Sequence, residues 1–290
     1  MRIGIISNPL KDPGFGVALA ASREIAQAGG TPVAGAEYEG TPLDGAPGLD
    51  FAHYASCDAI LCLGGDGTFL SAVQSHSLTG VPLVGVNLGS LGFLAEIQPS
   101  ELPRAVRSIL DGCFRIEERM MLDVTARDAE GGVKSRHVAL NDAVVSRGGI
   151  SRILTLDLFI DGRHVETVPG DGLILSSPTG STGYSLSSGG PILRPDLSLI
   201  LVTPICPHTL HNRSYVTSGD GEAEAVVCDY PYDAVLTVDG RTETLLSPGD
   251  RVSVRRAERP LRLLRLGPSD FFGSMPRKLY ARGGRDNDQA

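Results

Sequence analysis

The apolar run Ala59-Ile60-Leu61-Cys62-Leu63 ends in Gly64-Gly65-Asp66-Gly67, and from Thr68 to His76 the pattern becomes helical. A buried strand that turns through glycines into a helix is the building unit of a parallel sheet with crossover helices. Glycines let the backbone approach a polyphosphate without side-chain clash, and the helix N-terminus aims its free N–H groups at an anion. Asp66 is the odd member, because a carboxylate beside phosphates is repulsive unless a cation or a proton-donating substrate lies between them. The combination reads as phosphoryl-transfer chemistry with a built-in acid or base. The alternative is a strand-to-helix turn in which Asp66 only caps the helix.

The same alternation runs from residue 1 to about 112. Strands are predicted at Arg2 to Ser7, Thr31 to Ala34, Ala59 to Leu63 and Leu83 to Asn87. Helices are predicted at Phe15 to Ala28, ended by Gly29-Gly30, at Thr68 to His76, and at Ser100 to Leu110, which tolerates Pro103 in its first turn. Glu39 to Asp50, rich in Gly and Pro, reads as a loop or a poorly ordered excursion. Phosphates should gather at the carboxyl ends of these strands. After Phe114 extended runs take over, joined by turn dipeptides such as Asp161-Gly162 and Asp239-Gly240, which signal hairpins. Strands are expected at Met121 to Arg127, Ala143 to Ser146, Leu154 to Ile160, Leu173 to Ser176, Leu199 to Thr203, Ala234 to Val238 and Arg251 to Val254. The expected organisation is an α/β domain over residues 1–112, completed by about 267–290, and an all-β domain over 113–266. The polar, Gly-rich tail from Ala281 to Ala290 is expected to be disordered.

Several function classes drop out. No apolar stretch is long enough to cross a bilayer, and the opening Met1-Arg2-Ile3-Gly4-Ile5-Ile6 reads as a first strand rather than a signal peptide, so a cytoplasmic location is expected. A net charge of -8 gives no electrostatic footprint for nucleic acid. The basic run Arg251 to Arg265 alternates with apolar residues and reads as the solvent face of a strand pair. The five cysteines, Cys57, Cys62, Cys113, Cys206 and Cys228, form no C-x-x-C pair, so reduced, buried thiols are expected rather than a disulfide framework or zinc cluster. His208 and His211 follow Cys206, but Pro204 and Pro207 interrupt any helix that would align them on a metal.

A second glycine-rich stretch, Pro169 to Pro191, packs hydroxyls and glycines around one apolar strand, Leu173-Ile174-Leu175. Its hydroxyls and backbone amides are donors, Asp171 is an acceptor, and Tyr184 offers a ring face for a planar heterocycle. A Ser/Gly-rich surface loop is the alternative. Asn141-Asp142 puts a polar pair where an alternating strand has one polar residue; it is either a turn or a carboxylate and amide for a ribose diol or a base edge. Only three lysines occur, Lys11, Lys134 and Lys278, and none follows the Gly64–Thr68 turn, which excludes a Walker-type P-loop and a protein kinase. Lys11, just beyond the first strand, is either a phosphate contact or a loop residue.

These segments together resemble the NAD kinase family, ATP-dependent enzymes that phosphorylate the adenosine 2′-hydroxyl of NAD. The resemblance is carried by Gly64-Gly65-Asp66-Gly67-Thr68, by Asn87-Leu88-Gly89-Ser90-Leu91-Gly92-Phe93-Leu94, by Asn141-Asp142, by Gly170 to Pro191, and by Phe271-Phe272 with Arg277-Lys278-Leu279. The glycine turn is shared with diacylglycerol-type lipid kinases; the run Thr179-Gly180-Ser181-Thr182-Gly183-Tyr184 singles out the NAD kinases. The resemblance implies a Rossmann-like N-terminal domain, a C-terminal β domain, and a site between them. It implies Asp66 as proton acceptor, Gly64, Gly65, Gly67 and Thr68 in the phosphate turn, and Phe93 closing over a ring. Asn141 and Asp142 would hold the adenosine end of NAD, Asp171, Thr182, Tyr184 and Ser187 would line the dinucleotide site, and Arg152 would reach it across a subunit interface. ATP with Mg²⁺ is the implied donor, NAD the acceptor, and a homodimer or homotetramer the implied assembly. Asp142 stands where the family usually carries Glu, Pro169 at an often basic position, and Arg241 where Gln is common. A lipid kinase and a non-catalytic dinucleotide-binding sensor are the competing functions.

Overall fold

The computed structural model describes residues 1–76, 79–89, 92–148, 152–209, 213–267 and 270–283, with the backbone alone described at 242, 277 and 279–283. Ser90, Leu91, His211 and the tail from residue 284 therefore lie outside the described residues, as do the side chains of Arg277 and Leu279. The chain forms two compact units. One runs from Met1 to Glu118 and resumes at Leu261; the other spans Arg119–Pro260.

In the first unit the strands are β1 (Arg2–Ser7), β2 (Thr31–Ala34), β3 (Asp50–Phe51), β4 (Ala59–Gly64), β5 (Leu83–Asn87), β6 (Ala95–Ile97) and β7 (Arg115–Arg119). Three helices alternate with them: α1 (Gly16–Gln27), α2 (Asp66–His76) and α3 (Leu102–Leu110). β4 and β5 are buried at every position, as strands covered on both faces must be, and β1, β2, β4 and β5 pair in parallel. α3 buries Leu102, Ala105, Val106 and Ile109, the i, i+3, i+4, i+7 stripe of a helix lying on a sheet, with Pro103 in its first turn. The segment read as a loop or a poorly ordered excursion is an ordered loop: Leu43 sits in a single 3₁₀ turn and is fully buried in the first unit's core. An apolar anchor inside a Gly/Pro-rich stretch outweighed its turn composition.

The second unit contributes β8 (Leu122–Arg127), β9 (Val133–Ala139), β10 (Asp142–Arg147), β11 (Leu154–Ile160), β12 (Arg163–Gly170), β13 (Gly172–Ser176), a one-turn helix α4 (Tyr184–Ser187), β14 (Leu199–Ile205), β15 (Tyr215–Ser218), β16 (Glu222–Val227), β17 (Ala234–Val238), β18 (Thr242–Leu246) and β19 (Arg251–Arg256). These form two antiparallel sheets, ordered β15-β14-β13-β10-β17-β18 and β12-β11-β16-β19-β8-β9, whose inward residues share one apolar core. The Asp161-Gly162 and Asp239-Gly240 hairpins form as expected. All four residues take positive φ, from 48° to 73°; Asp161-Gly162 is a two-residue loop between the paired Ile160 and Arg163, whereas the second loop has three residues, Asp239-Gly240-Arg241, between the paired Val238 and Thr242.

The chain then returns to the first unit as β20 (Leu261–Arg265), parallel to β5, and ends in α5 (Phe271–Gly283). The first unit's sheet is thus ordered β3-β2-β1-β4-β5-β20-β7, with β6 also on β5. This corrects the reading of Arg251 to Arg265 as one strand pair: β19 and β20 lie in different sheets, and Arg265 is buried rather than solvent-facing. The compact units divide at 118/119 and 260/261, rather than at the 112 and 266 read from composition, because β7 and β20 are neighbours in the first unit's sheet.

β6 reaches β5 through a close approach. Gly85 opposes Ala95, and a side chain at Gly85 would lie 2.6 Å from the Ala95 Cα. Backbone cannot yield as a flexible side chain does, so β6 must lift away from any larger residue. Gly85→Ala is expected to lower unfolding stability by about 1–3 kcal/mol, read from urea denaturation of wild type and variant.

Candidate active-site residues

The turn after β4 builds the first part of the site. Asp66 is the first residue of α2, where the helix dipole favours a negative charge. Its Oδ2 accepts the Phe93 N–H at 3.0 Å and its Oδ1 accepts the Leu94 N–H at 3.1 Å. Gly92 makes this possible, because a Cβ there would stand 2.1 Å from Asp66 Oδ1. A carboxylate has about four acceptor positions on its two oxygens, and these two bonds take one on each oxygen. Asp66 therefore does more than cap its own helix: it fastens the segment before β6 to the turn.

The other turn residues divide by role. Gly64 ends β4, and a side chain on it would strike Thr68 Oγ1 at 2.3 Å, so this glycine serves the protein's own packing. At Gly65 a Cβ would meet no atom within 4 Å, which leaves open room beside Asp66. Thr68, read as a ligand contact, accepts a hydrogen bond from Asn8 Nδ2 at 3.0 Å, and the Asn8 N–H in turn donates to the Leu63 carbonyl at 3.2 Å. Asn8 at the carboxyl end of β1 thus braces the turn. Lys11 lies exposed in the turn that follows β1.

Asn87, the last residue of β5 and the register partner of Gly64, is 3% exposed. Its Oδ1 accepts the Gly89 N–H at 3.1 Å, which fixes the amide orientation, and its Nδ2 has no partner among the described residues. A buried donor left unmet costs about 1–3 kcal/mol, and here it stands at the end of a parallel strand beside the glycine turn.

In the second unit the organising group is Asp239. From its positive-φ turn position its carboxylate accepts three successive N–H groups, of Leu140 at 2.9 Å, Asn141 at 2.8 Å and Asp142 at 3.1 Å. The Asn141 carbonyl accepts the Ser177 N–H at 2.8 Å, which draws the start of the hydroxyl-rich run onto the same segment. Asn141 and Asp142 therefore form a bend at the entry to β10, tied to Asp239 on one side and Ser177 on the other. Asp142 is 7% exposed, and its carboxyl is pushed up to about 7, first by burial and then by the neighbouring Asp239 charge. Burial and like charge both disfavour the ionised form.

The hydroxyl-rich run is mostly buried and busy with its own backbone. Ser181 Oγ donates to the Pro178 carbonyl and accepts the Leu193 N–H, Thr182 Oγ1 donates to the Thr179 carbonyl, and Ser185 Oγ pairs with Thr203 Oγ1 at 2.8 Å. Tyr184 is 48% exposed, so its ring is free on the surface, while burial of its hydroxyl and the nearby Cys206, Asp171 and Asp142 raise its pKa. Asp171 binds Arg147 at 2.7 Å. Ser187 is exposed at the end of α4. Arg152 is exposed, with its carbonyl accepting the Tyr230 hydroxyl at 3.5 Å, and nothing among the described residues joins it to the Asn141–Asp142 bend. Thiol burial divides: Cys57 and Cys62 are buried, whereas Cys113 and Cys206 are exposed.

Comparison with known proteins covers both halves. The family description "ATP-NAD kinase N-terminal domain" fits residues 16–114, and "ATP-NAD kinase C-terminal domain" fits residues 140–266. A NAD kinase of Ruminiclostridium cellulolyticum is 40% identical over 283 residues, 97% of this chain and 98% of its own. One from Moorella thermoacetica is 45% identical over 234 residues, 81% of this chain and 75% of its own. The chain belongs to the NAD kinase family. Its fold matches that of yeast NADH kinase, solved with NADH, at a TM-score of 0.85 and 24% identity over 100% of this chain and 90% of the other. It also matches an Archaeoglobus fulgidus NAD kinase, solved with ATP, at a TM-score of 0.75 and 20% identity over 97% and 99%.

Within each unit, sequence patterning left the bracing roles unread: those of Asn8 and Asn87 in the first unit and of Asp239 in the second. Asn8 and Asn87 carry a signal in hindsight, since each is a polar residue closing a buried parallel strand. Asp239 read as hairpin chemistry and is that, but its carboxylate also gathers the Asn141–Asp142 bend.

The raised Asp142 group links stability to pH with a definite sign. Folding holds a proton that the unfolded chain releases above about 4, so stability falls as pH rises from about 4 to about 7 and levels off beyond. Between about pH 5 and about pH 8 wild type should lose roughly 2 kcal/mol relative to Asp142→Asn, which has no such proton, as read from urea unfolding at each pH.

Proposed function

We propose that the protein transfers the γ-phosphoryl group of ATP to the adenosine 2′-hydroxyl of NAD, giving NADP and ADP. The observation that carries this reading is family membership across both halves, combined with Asp66 fastened at the end of a parallel strand where phosphate sites form. As the new bond forms between the 2′-oxygen and the γ-phosphorus, the bond from that phosphorus to the β,γ-bridging oxygen breaks. Asp66 takes the hydroxyl proton.

Open room at Gly65 and the first N–H groups of α2 are the features that suit the donor's phosphates. Among the described residues no three His, Cys, Asp or Glu side chains gather to hold a metal. We assign the divalent cation to the ATP phosphates as part of the substrate, where it would neutralise charge on the transferring group. In the second unit Asn141 and Asp142 are assigned the adenosine ribose, with the amide donating and the carboxyl accepting. The exposed Tyr184 ring is assigned stacking on a heterocycle, and Thr182, Asp171 and Ser187 the remaining polar edge. Arg152 is assigned the dinucleotide of a neighbouring subunit in a homo-oligomer, and the location read is cytoplasmic; no helix among the described residues is long and apolar enough to span a membrane.

The test is incubation with ATP, Mg²⁺ and NAD, with NADP measured enzymatically. Wild type should form NADP. Asp66→Asn should lower kcat by about 10²–10⁴-fold, the usual worth of general-base help, with circular dichroism confirming that the variant is folded. NAD binding without turnover, or phosphorylation of a diacylglycerol instead, would overturn the reading.

A further inference from the structure

The first unit contains a buried cation that the reaction as described does not use. Lys278 on α5 is 8% exposed, its Nζ lies 3.2 Å from Glu96 Oε1, and it stands 5.7 Å from the centre of the Phe93 ring. Phe93 is the residue whose N–H bonds Asp66, and Glu96 lies in β6, two residues past the second donor, Leu94. Arg265 of β20 binds the other Glu96 oxygen at 2.8 Å and Glu117 at 3.3 Å. A cavity of about 290 Å³, lined by Leu94, Glu96, Ile97, Arg104 and Arg265 among others, runs beside this segment.

Resting on the role given to Asp66 above, we propose that Lys278 is a positioning residue for catalysis. Its ammonium sits over the Phe93 ring and against Glu96, so it holds the 93–96 segment at two points and thereby keeps the Phe93 and Leu94 N–H groups aimed at the Asp66 carboxylate. The C-terminal helix thus acts on the proton acceptor without touching substrate. A cation over an aromatic ring is attracted by the ring's negative face, and displacement of a reacting group by about 1 Å can cost on the order of 10²-fold in rate. Loss of Lys278 does not strand a charge, because Glu96 keeps Arg265.

The experiment compares Lys278→Met, which keeps the alkyl stem, Lys278→Gln, which keeps a donor for Glu96 without charge over the ring, and Lys278→Arg, which keeps both interactions. Each is made in wild type and in Asp66→Asn, with kcat, KM for ATP and KM for NAD measured alongside thermal melting. In the wild-type background Met and Gln should lower kcat by about tenfold or more while moving either KM less than about threefold, and Arg should recover most of the loss. In the Asp66→Asn background the same changes should cost less than about twofold, since the group they position is gone. Equal fold-losses in both backgrounds, a loss confined to KM, or full activity in Lys278→Gln would overturn the inference. If Lys278→Met fails to fold, the Gln and Arg variants decide by the same criteria. Failure of the functional reading is separate: it shows as wild type making no NADP, or as Asp66→Asn retaining wild-type kcat.

Discussion

The first unit depends on two N–H groups meeting one carboxylate. For Phe93 and Leu94 both to reach Asp66, the chain before β6 must run close past the start of α2, which only a residue without a side chain at position 92 allows. For that segment to be rigid, β6 must lie in register on β5, which requires the backbone contact at Gly85. Two glycines, at positions 85 and 92, therefore serve one end, the seating of Asp66. Its position at the first residue of α2 adds a fixed partial positive charge beside it.

The second unit uses the same device with the opposite electrostatic result. Asp239 satisfies three consecutive N–H groups and so bends residues 140–142 around itself, but the bend brings Asp142 into a buried place next to a negative charge. The carboxylate that receives the backbone N–H groups stabilises its charge, whereas its neighbour keeps its proton to about neutral pH. A carboxyl poised there can accept from a sugar hydroxyl when ionised and donate when protonated, which a permanently charged group could not do.

How much of this was legible beforehand follows from the range of the interactions. The β1, β2 and β11 limits match the sequence reading residue for residue, because alternation and burial are local signals. The two hairpin turns were legible for the same reason: Asp-Gly takes positive φ wherever it joins strands. Asp66 could be singled out from its neighbours, yet not its partners, which are 27 and 28 residues away. The short strands β3 and β6 were missed because two or three residues carry no periodicity, and β20 because its Arg-rich pattern hides a buried Arg265 whose charge is met by Glu96 and Glu117. The hydroxyls of the Ser/Thr-rich run drew notice as ligand donors, but several of them stitch the loop together instead, a distinction composition cannot make.

The double use of Asp66 also restricts what could replace it. Serine offers one oxygen and cannot meet two N–H groups at separate atoms. Asparagine offers one oxygen and turns an NH₂ toward the other N–H, setting donor against donor and leaving a backbone group unmet. Glutamate has both oxygens but carries them one methylene further from the backbone, into the space that Gly92 keeps clear for a shorter side chain. Aspartate alone satisfies the two backbone donors at this reach and is also a base that can take a proton. The residue that fastens the segment and the residue proposed to receive the proton are thus the same one for a geometric reason, and selection for either task would arrive at the same side chain.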